Sequence, residues 1–341
     1  MSRIAVLGSG SWGTAIALSL AANESHHVLL WSHRAESADA LNRDRENLRF
    51  LPGFPFPDSL EITADDAHAV GETDILVSAI PSEFLRPTMA QLVPHMRGGQ
   101  ILVSTTKGIE DHTFLRMSEV IEAAIREGRP DDAEAIPVGV LSGPSFAQEV
   151  AAGMPTAVTI AFADPAVGAT IQHEFSSSRL RLYTNDDVIG VEMGGALKNV
   201  IAIASGVVAG LGLGSNSAAG LITRGIAEVT RLAVAAGGRR ATLGGLSGLG
   251  DLVLTCTGSL SRNRWVGTEL GRGRKLDEIL CDLHGKVAEG VRTTRAALGM
   301  AHKLGVEMPI TEQMELILDE GKDPREAARD LMQRPGRDEE D

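Results

Sequence analysis

The chain has 341 residues, enough for two domains, and 43% of them are hydrophobic, so a sizeable core is available. Its 45 acidic against 32 basic side chains give a net charge of −13, which argues against nucleic acid or an anionic membrane as a partner. No run of about 18 apolar residues escapes polar interruption, so no membrane-spanning helix is expected.

The first half alternates short β-branched runs with helical stretches. Strand patterns lie at 4–9, 27–32, 61–64, 75–80, 100–105, 137–142, 157–162 and 180–184. Helical patterns such as GTAIALSLAAN, EFLRPTMAQLVPHM, TFLRMSEVIEAAIREG and PAVGATIQHEFSS fall between them. Such alternation predicts a doubly wound, mainly parallel sheet covered on both faces. The insert LRFLPGFPFPDS (48–59) carries three prolines and reads as an irregular surface loop. From residue 188 the strand signal ends and six helical stretches follow, so the second domain is expected to be all-α. The expected division is 1–187, 188–334 and a frayed acidic tail at 335–341. VIAIASGVVAGLGLG (200–214) is too short and glycine-rich to span a bilayer and reads as a buried core helix. The chain opens on a strand pattern without a charged-then-apolar leader, so export is not expected. Cys256 and Cys281 offer no disulfide framework, which fits a cytoplasmic protein. The two cysteines and nine histidines show no ligand spacing, so no metal is expected.

The first strand runs into Gly8, Gly10 and Gly13, spaced G-x-G-x-x-G, and then into a helix of small residues. Gly8 permits the tight turn, Gly10 the approach of a phosphate, and Gly13 the packing of helix on strand. The helix start then offers free N–H groups to a dinucleotide pyrophosphate, which makes this half a Rossmann-type α/β domain. Ser11 and Trp12 occupy the variable places; Trp12 either walls the pocket or simply packs. The second strand ends in Ser32, His33 and Arg34, where an NAD-selective site usually has a carboxylate. Arg34 can pair with a 2′-phosphate and His33 can lie against adenine, which favours NADP or tolerance of both NADP and NAD.

Four later stretches carry chemistry. STTKG puts Lys107 at the carboxyl end of a strand, the edge that faces the ligand crevice in open α/β sheets. LSGPSFAQEV puts Gly143, Ser145 and Ala147 in a turn on the same edge, with Pro144 near a helix start. EMGGALKNV opens the first long helix of the second half. Gly194 and Gly195 strip one turn of side chains, so something must approach closely, and Lys198 follows on that face. A lysine among apolar neighbours faces either the core or a cleft; partly desolvated, its lowered pKa suits it to proton exchange near neutrality. Finally, GLGDLVLTCTGSLSRN delivers Asp251, Thr255 one helical turn later, and Ser261, Arg262 and Asn263 at a helix start suited to a phosphate.

Taken together, GSGSWGTA, STTKG, LSGPSFA, EMGGALKNVIAI, GLGDLVLTCTGSLSRN and KVAEGV (286–291) resemble bacterial NAD(P)-dependent sn-glycerol-3-phosphate dehydrogenases along essentially the whole chain. The resemblance implies reversible reduction of dihydroxyacetone phosphate to sn-glycerol 3-phosphate, the backbone of phospholipids. It implies Lys198 as proton donor or acceptor. It assigns Lys107, Gly143, Ser145, Asp251, Ser261, Arg262 and Asn263 to substrate. It assigns Ser11, Trp12, His33, Arg34, Lys107, Ala147, Arg262, Val287 and Glu289 to NADP or NAD. A homodimer is often found with such chains. Two rivals stand beside it: a related dehydrogenase of β-hydroxyacids or sugar-acid phosphates, and a redox sensor that binds a dinucleotide without turnover.

Overall fold

The computed structural model describes residues 2–283, 287–336 and 338–339. Lys286 of the KVAEGV motif, and residues 337 and 340–341 of the expected tail, lie outside them. The first half runs β1 (Ser2–Leu7), α1 (Ser11–Ala21), β2 (His26–Trp31), α2 (Ala35–Asp44), β3 (Glu46–Asn47), β4 (Leu51–Pro55), β5 (Glu61–Thr63), α3 (Asp66–Gly71), β6 (Ile75–Ser78), α4 (Ser82–Leu92), β7 (Ile101–Ser104), α5 (Met117–Gly128), β8 (Val138–Ser142), α6 (Ala147–Ala151), β9 (Thr156–Ala161), α7 (Pro165–Phe175) and β10 (Leu180–Asn185). The second half is helical: α8 (Val188–Gly210), α9 (Gly214–Ala235), α10 (Arg240–Leu243), α11 (Asp251–Thr257), α12 (Arg262–Gly271), α13 (Leu276–Cys281), α14 (Glu289–Leu304), α15 (Pro309–Asp319) and α16 (Pro324–Met332).

All eight expected strands form one sheet, ordered β10-β9-β8-β7-β6-β1-β2-β5. Every pairing in it is parallel except β8 with β9, so the last two strands run against the rest. The central strands are buried on both faces, as their unbroken Val, Ile and Leu runs require. Ile4, Val6, Val77 and Val103 pack on one face, and Ala5, Leu7, Leu76 and Leu102 on the other.

Two expectations need correction. The insert 48–59 is irregular only in part: residues 51–55 form β4, which pairs antiparallel with β3, and Leu51 is buried against Ala15 and Val150. The prolines masked this, because they fall at the strand's exposed positions and just past it. The stretch TFLR (113–116) is not helical. His112 and Phe114 have φ of 70° and 59°, and Ile109 bridges Arg116, so α5 begins only at Met117.

The helical stretch that opens the second half forms as expected, but the apolar run 200–214 is not one helix: α8 ends at Gly210 and α9 begins at Gly214. α8 has 23 residues, long and apolar enough to cross a bilayer, yet it is buried without a break from Gly190 to Val207. It forms the axis of the helical half. α12 crosses it backbone to backbone. Gly206 and Gly210 on α8 meet Gly267 and Gly271 on α12, and a Cβ on Gly271 would stand 2.6 Å from the Val207 carbonyl oxygen. The abundant glycine therefore serves helix packing here, and it fixes where the start of α12 lies along α8.

One carboxylate ties α8 to the sheet half. Glu192, 3% exposed, accepts from Arg116 Nη1 at 2.8 Å, from Ser118 N at 2.7 Å and from Ser118 Oγ at 2.7 Å. These donors lie at the start of α5, where free N–H groups and the helix dipole favour an anion. Burial nevertheless pushes the Glu192 carboxyl above its usual range, against the pull of Arg116 and Ser118.

Candidate active site

A cavity of about 800 Å³ opens at the carboxyl edge of the sheet, between it and the helical half. Gly8, Gly10, Ser11, Trp12, His33 and Arg34 line one part; Lys107, Ser145, Ala147 and Lys198 another; Ser261, Arg262, Asn263, Val287 and Glu289 the rest. The sheet edge and the first turns of α12 and α14 thus bring together residues more than 250 positions apart. A separate groove of about 650 Å³ runs past Arg179 and Arg181, and none of these residues lines it.

The three glycines behave as their spacing predicts. Gly8 has φ of +119°, and a Cβ there would stand 2.8 Å from the Ala79 carbonyl oxygen. Gly13 packs onto the Gly8 carbonyl, away from the cavity wall. A Cβ on Gly10 would meet nothing within 4 Å, so open space faces the start of α1, whose N-cap Gly10 supplies no side-chain acceptor. This cradle fits a pyrophosphate on unpaired N–H groups. Trp12 does both things open to it: it lines the cavity and packs on Leu51 and Val150.

Lys107, Lys198 and Asp251 form the centre. Lys198 Nζ donates to Asp251 Oδ1 and, at 2.8 Å, to Thr255 Oγ1. Lys107 Nζ donates to Asp251 Oδ2 at 2.6 Å. The Lys198 side chain is 8% exposed and that of Asp251 1%. Burial brings the Lys198 ammonium down to about 8; Asp251 opposes this and the like charge of Lys107 assists it. Lys107 is also penalised by burial, but attraction to Asp251 and the hydrogen bond to it outweigh the penalty and raise its pKa.

Asp251 itself does not line the cavity. One of its oxygens accepts from Lys107 and the other from Lys198, so it stands behind the two lysines that do line the cavity. Gly143 is likewise absent from the wall. Its φ of +147° makes a tight turn in which a Cβ would stand 3.0 Å from Val158 Cα, and its carbonyl accepts from Ser145 Oγ at 2.9 Å. Pro144 is not a helix start: α6 begins at Ala147 with Phe146 as its cap. The expected close approach at Gly194 and Gly195 is real. A Cβ on Gly194 would stand 2.8 Å from the Ser247 carbonyl oxygen, and one on Gly195 would overlap Ser142 Oγ.

Ser261 caps α12 by accepting from Arg264 N at 3.2 Å. Asn263 donates to Asn199 Oδ1 at 3.0 Å and accepts from Gly290 N at 3.0 Å, and Asn199 donates to Glu289 Oε2 at 3.3 Å. This chain of amides joins α8, α12 and α14 beside Lys198. Arg262 has no carboxylate partner among the described residues, and it lines the cavity at the helix start. Thr255, one turn after Asp251, lines the cavity too, as do Asn199, Arg49 and Phe50, which were not among the expected site residues. Asn199 follows Lys198 directly, which is the one signal the sequence held for it; Arg49 and Phe50 were hidden inside the insert.

Models of the NAD-dependent glycerol-3-phosphate dehydrogenase N-terminus and C-terminus match residues 3–168 and 187–329. A relative from Acidobacterium capsulatum, named glycerol-3-phosphate dehydrogenase [NAD(P)+], is 60% identical over 99% of this chain and all of its own length. One of the same name from Koribacter versatilis is 52% identical over 98% of each chain. The crystal structure of the Coxiella burnetii glycerol-3-phosphate dehydrogenase superposes with a TM-score of 0.91 at 39% identity, over 98% of this chain and 99% of that one. The cradle, the lysine pair and the matches over both halves lead to one conclusion: the chain belongs to the NAD-dependent glycerol-3-phosphate dehydrogenase family.

Proposed function

We propose that this enzyme reversibly reduces dihydroxyacetone phosphate to sn-glycerol 3-phosphate with NADPH or NADH, supplying the glycerophospholipid backbone. Family membership supports the reaction, and the two lysines on one buried aspartate beside the cavity carry the mechanism. On this reading residues 1–187 bind the cofactor and 188–334 shape the substrate site. Gly10, Ser11, Trp12, His33, Arg34, Ala147, Val287 and Glu289 would hold the dinucleotide. The bound cofactor supplies hydride to the ketone carbon, or takes it back in the reverse direction.

Negative charge grows on the ketone oxygen during reduction, and Lys198 neutralises it and gives up its proton. An amine brought to about 8 does this readily near neutral pH. Lys107 stays charged and adds positive field. Asp251 and Thr255 hold the Lys198 amine in place. Arg262, Asn263 and the free N–H groups at the start of α12 grip the phosphoryl end, so remote binding energy positions the reacting carbon. The enzyme works in the cytoplasm, in keeping with its free thiols, and as a homodimer, which rests on the family resemblance.

The test is nicotinamide absorbance with dihydroxyacetone phosphate, run with each reduced cofactor and beside a panel of β-hydroxyacids and their keto acids. Turnover of the triose phosphate with either cofactor is expected. Turnover of hydroxyacids alone, or nucleotide binding without any turnover, overturns the proposal.

A further inference from the structure

The hairpin β3–β4 is wired to the glycine loop. Asn47, 2% exposed, donates to Ser9 O at 2.9 Å and to Thr14 Oγ1 at 2.8 Å, and accepts from Phe50 N at 3.1 Å. Ser11 Oγ donates to Phe50 O at 2.7 Å. Leu51 is 1% exposed in the cluster beneath. A surface connection needs none of this. The wiring fixes where residues 49 and 50 lie, and both line the cavity beside Ser32, His33, Arg34 and Ser37.

The chemistry at that end is one-sided. The end of β2 carries Ser32, whose hydroxyl is engaged by Ser9 Oγ at 2.9 Å, where a ribose diol would need a carboxylate. Among the described residues Glu289 is the one carboxylate lining the cavity, and it belongs to the lysine end through Asn199. Two guanidiniums, Arg34 and Arg49, serve the adenosine end. Neither has a carboxylate partner among the described residues. The Arg49 guanidinium lies 4.8 Å over the Phe50 ring. Stacking holds its planar fork in place, so less freedom is lost when it meets an anion.

We propose that Arg49 is a specificity-determining residue: carried on the hairpin arm, it completes with Arg34 a two-guanidinium clamp for the 2′-phosphate, and the enzyme prefers NADPH. This rests on the dinucleotide reading of the cavity. Recognition by Arg34 alone is the competing outcome.

Calorimetric titration of the whole enzyme with adenosine 2′,5′-bisphosphate and with AMP separates the possibilities, since the two ligands differ only in the 2′-phosphate. The bisphosphate is expected to bind more tightly. Arg49→Ala should shrink that advantage about ten- to a hundredfold, the worth of charge-assisted hydrogen bonds, while leaving AMP affinity unchanged. Arg49→Gln, which keeps a stacking amide, should lose most of the advantage too and guards against a folding defect in the first variant. NADPH and NADH affinities should follow the same split. Equal weakening of both fragments by Arg49→Ala overturns the proposal, as does an unchanged ratio with loss only in Arg34→Ala, or a wild-type enzyme that does not distinguish the fragments. If wild type binds neither fragment nor either cofactor, the dinucleotide reading itself fails.

Discussion

Lys107 and Lys198, from opposite halves of the chain, take one oxygen each of the Asp251 carboxylate. Two positive charges share one counter-charge, and the less exposed of them gives way: Lys198 falls to about 8 while Lys107 rises. The sign of the pH dependence follows. Reduction needs the Lys198 ammonium, so its rate should fall as pH rises through about 8. Oxidation needs the free amine, so its rate should rise through the same point. Initial rates in both directions between pH 6 and 10 at saturating substrates check this. Limbs of the same sign in both directions would remove Lys198 from the proton transfer.

Lys198→Met keeps the stem and deletes the charge. Loss of proton transfer should lower kcat by about 10² to 10⁴ with little change in cofactor affinity. Steady-state kinetics with a parallel nucleotide titration measures both. Near-normal turnover would mean that another group supplies the proton.

Asp251→Asn keeps the shape and removes the counter-charge. Asp251 opposes the fall in the Lys198 pKa, so its loss should move the reduction limb well below about 8. It also leaves buried ammonium groups without a counter-charge, which costs about 3 kcal/mol of stability. The pH profile and the thermal midpoint report the two effects separately. A lower midpoint with an unmoved limb would make Asp251 structural only.

The parts of this site that were legible in the sequence are those fixed by backbone need. Gly8 and Gly13 are demanded by a positive φ and a carbonyl contact, and a glycine pattern after a strand reveals both. Lys198 showed itself because a charge among apolar neighbours needs a reason, and Ser261 because it opens a helix. Long-range pairing was legible only in part. That Asp251 holds a lysine or a hydroxyl can be read from the chain; that it takes both lysines, 144 and 53 residues away, cannot. The hairpin was illegible for another reason: its prolines mimic a loop, while its anchor, Asn47, acts through side-chain bonds to a distant glycine loop.

Arg262 is exposed at the start of α12 and faces the cavity. Arg262→Ala should raise KM for dihydroxyacetone phosphate about tenfold or more and leave kcat/KM for unphosphorylated dihydroxyacetone nearly unchanged, because only the phosphoryl contact is lost. Kinetics on the two substrates decides it. Equal losses on both would place Arg262 on the cofactor instead.

Gly267 and Gly220 both lie inside helices, and alanine should act on them with opposite sign. In an exposed helix glycine costs about 1 kcal/mol relative to alanine. A Cβ on Gly220 meets nothing within 4 Å, so Gly220→Ala should raise the thermal midpoint. A Cβ on Gly267 would overlap the Ile203 carbonyl and stand 3.0 Å from Gly206 Cα, both backbone atoms that cannot turn aside. Overpacking costs about 1–3 kcal/mol and outweighs the propensity gain, so Gly267→Ala should lower the midpoint. Pushing α12 off α8 also moves Asn263 away from Asn199, to which it donates at 3.0 Å. KM for the phosphorylated substrate should therefore rise in Gly267→Ala and not in Gly220→Ala. Gly267→Ala with unchanged stability and KM would show that the α8–α12 crossing does not set the place of the phosphate site.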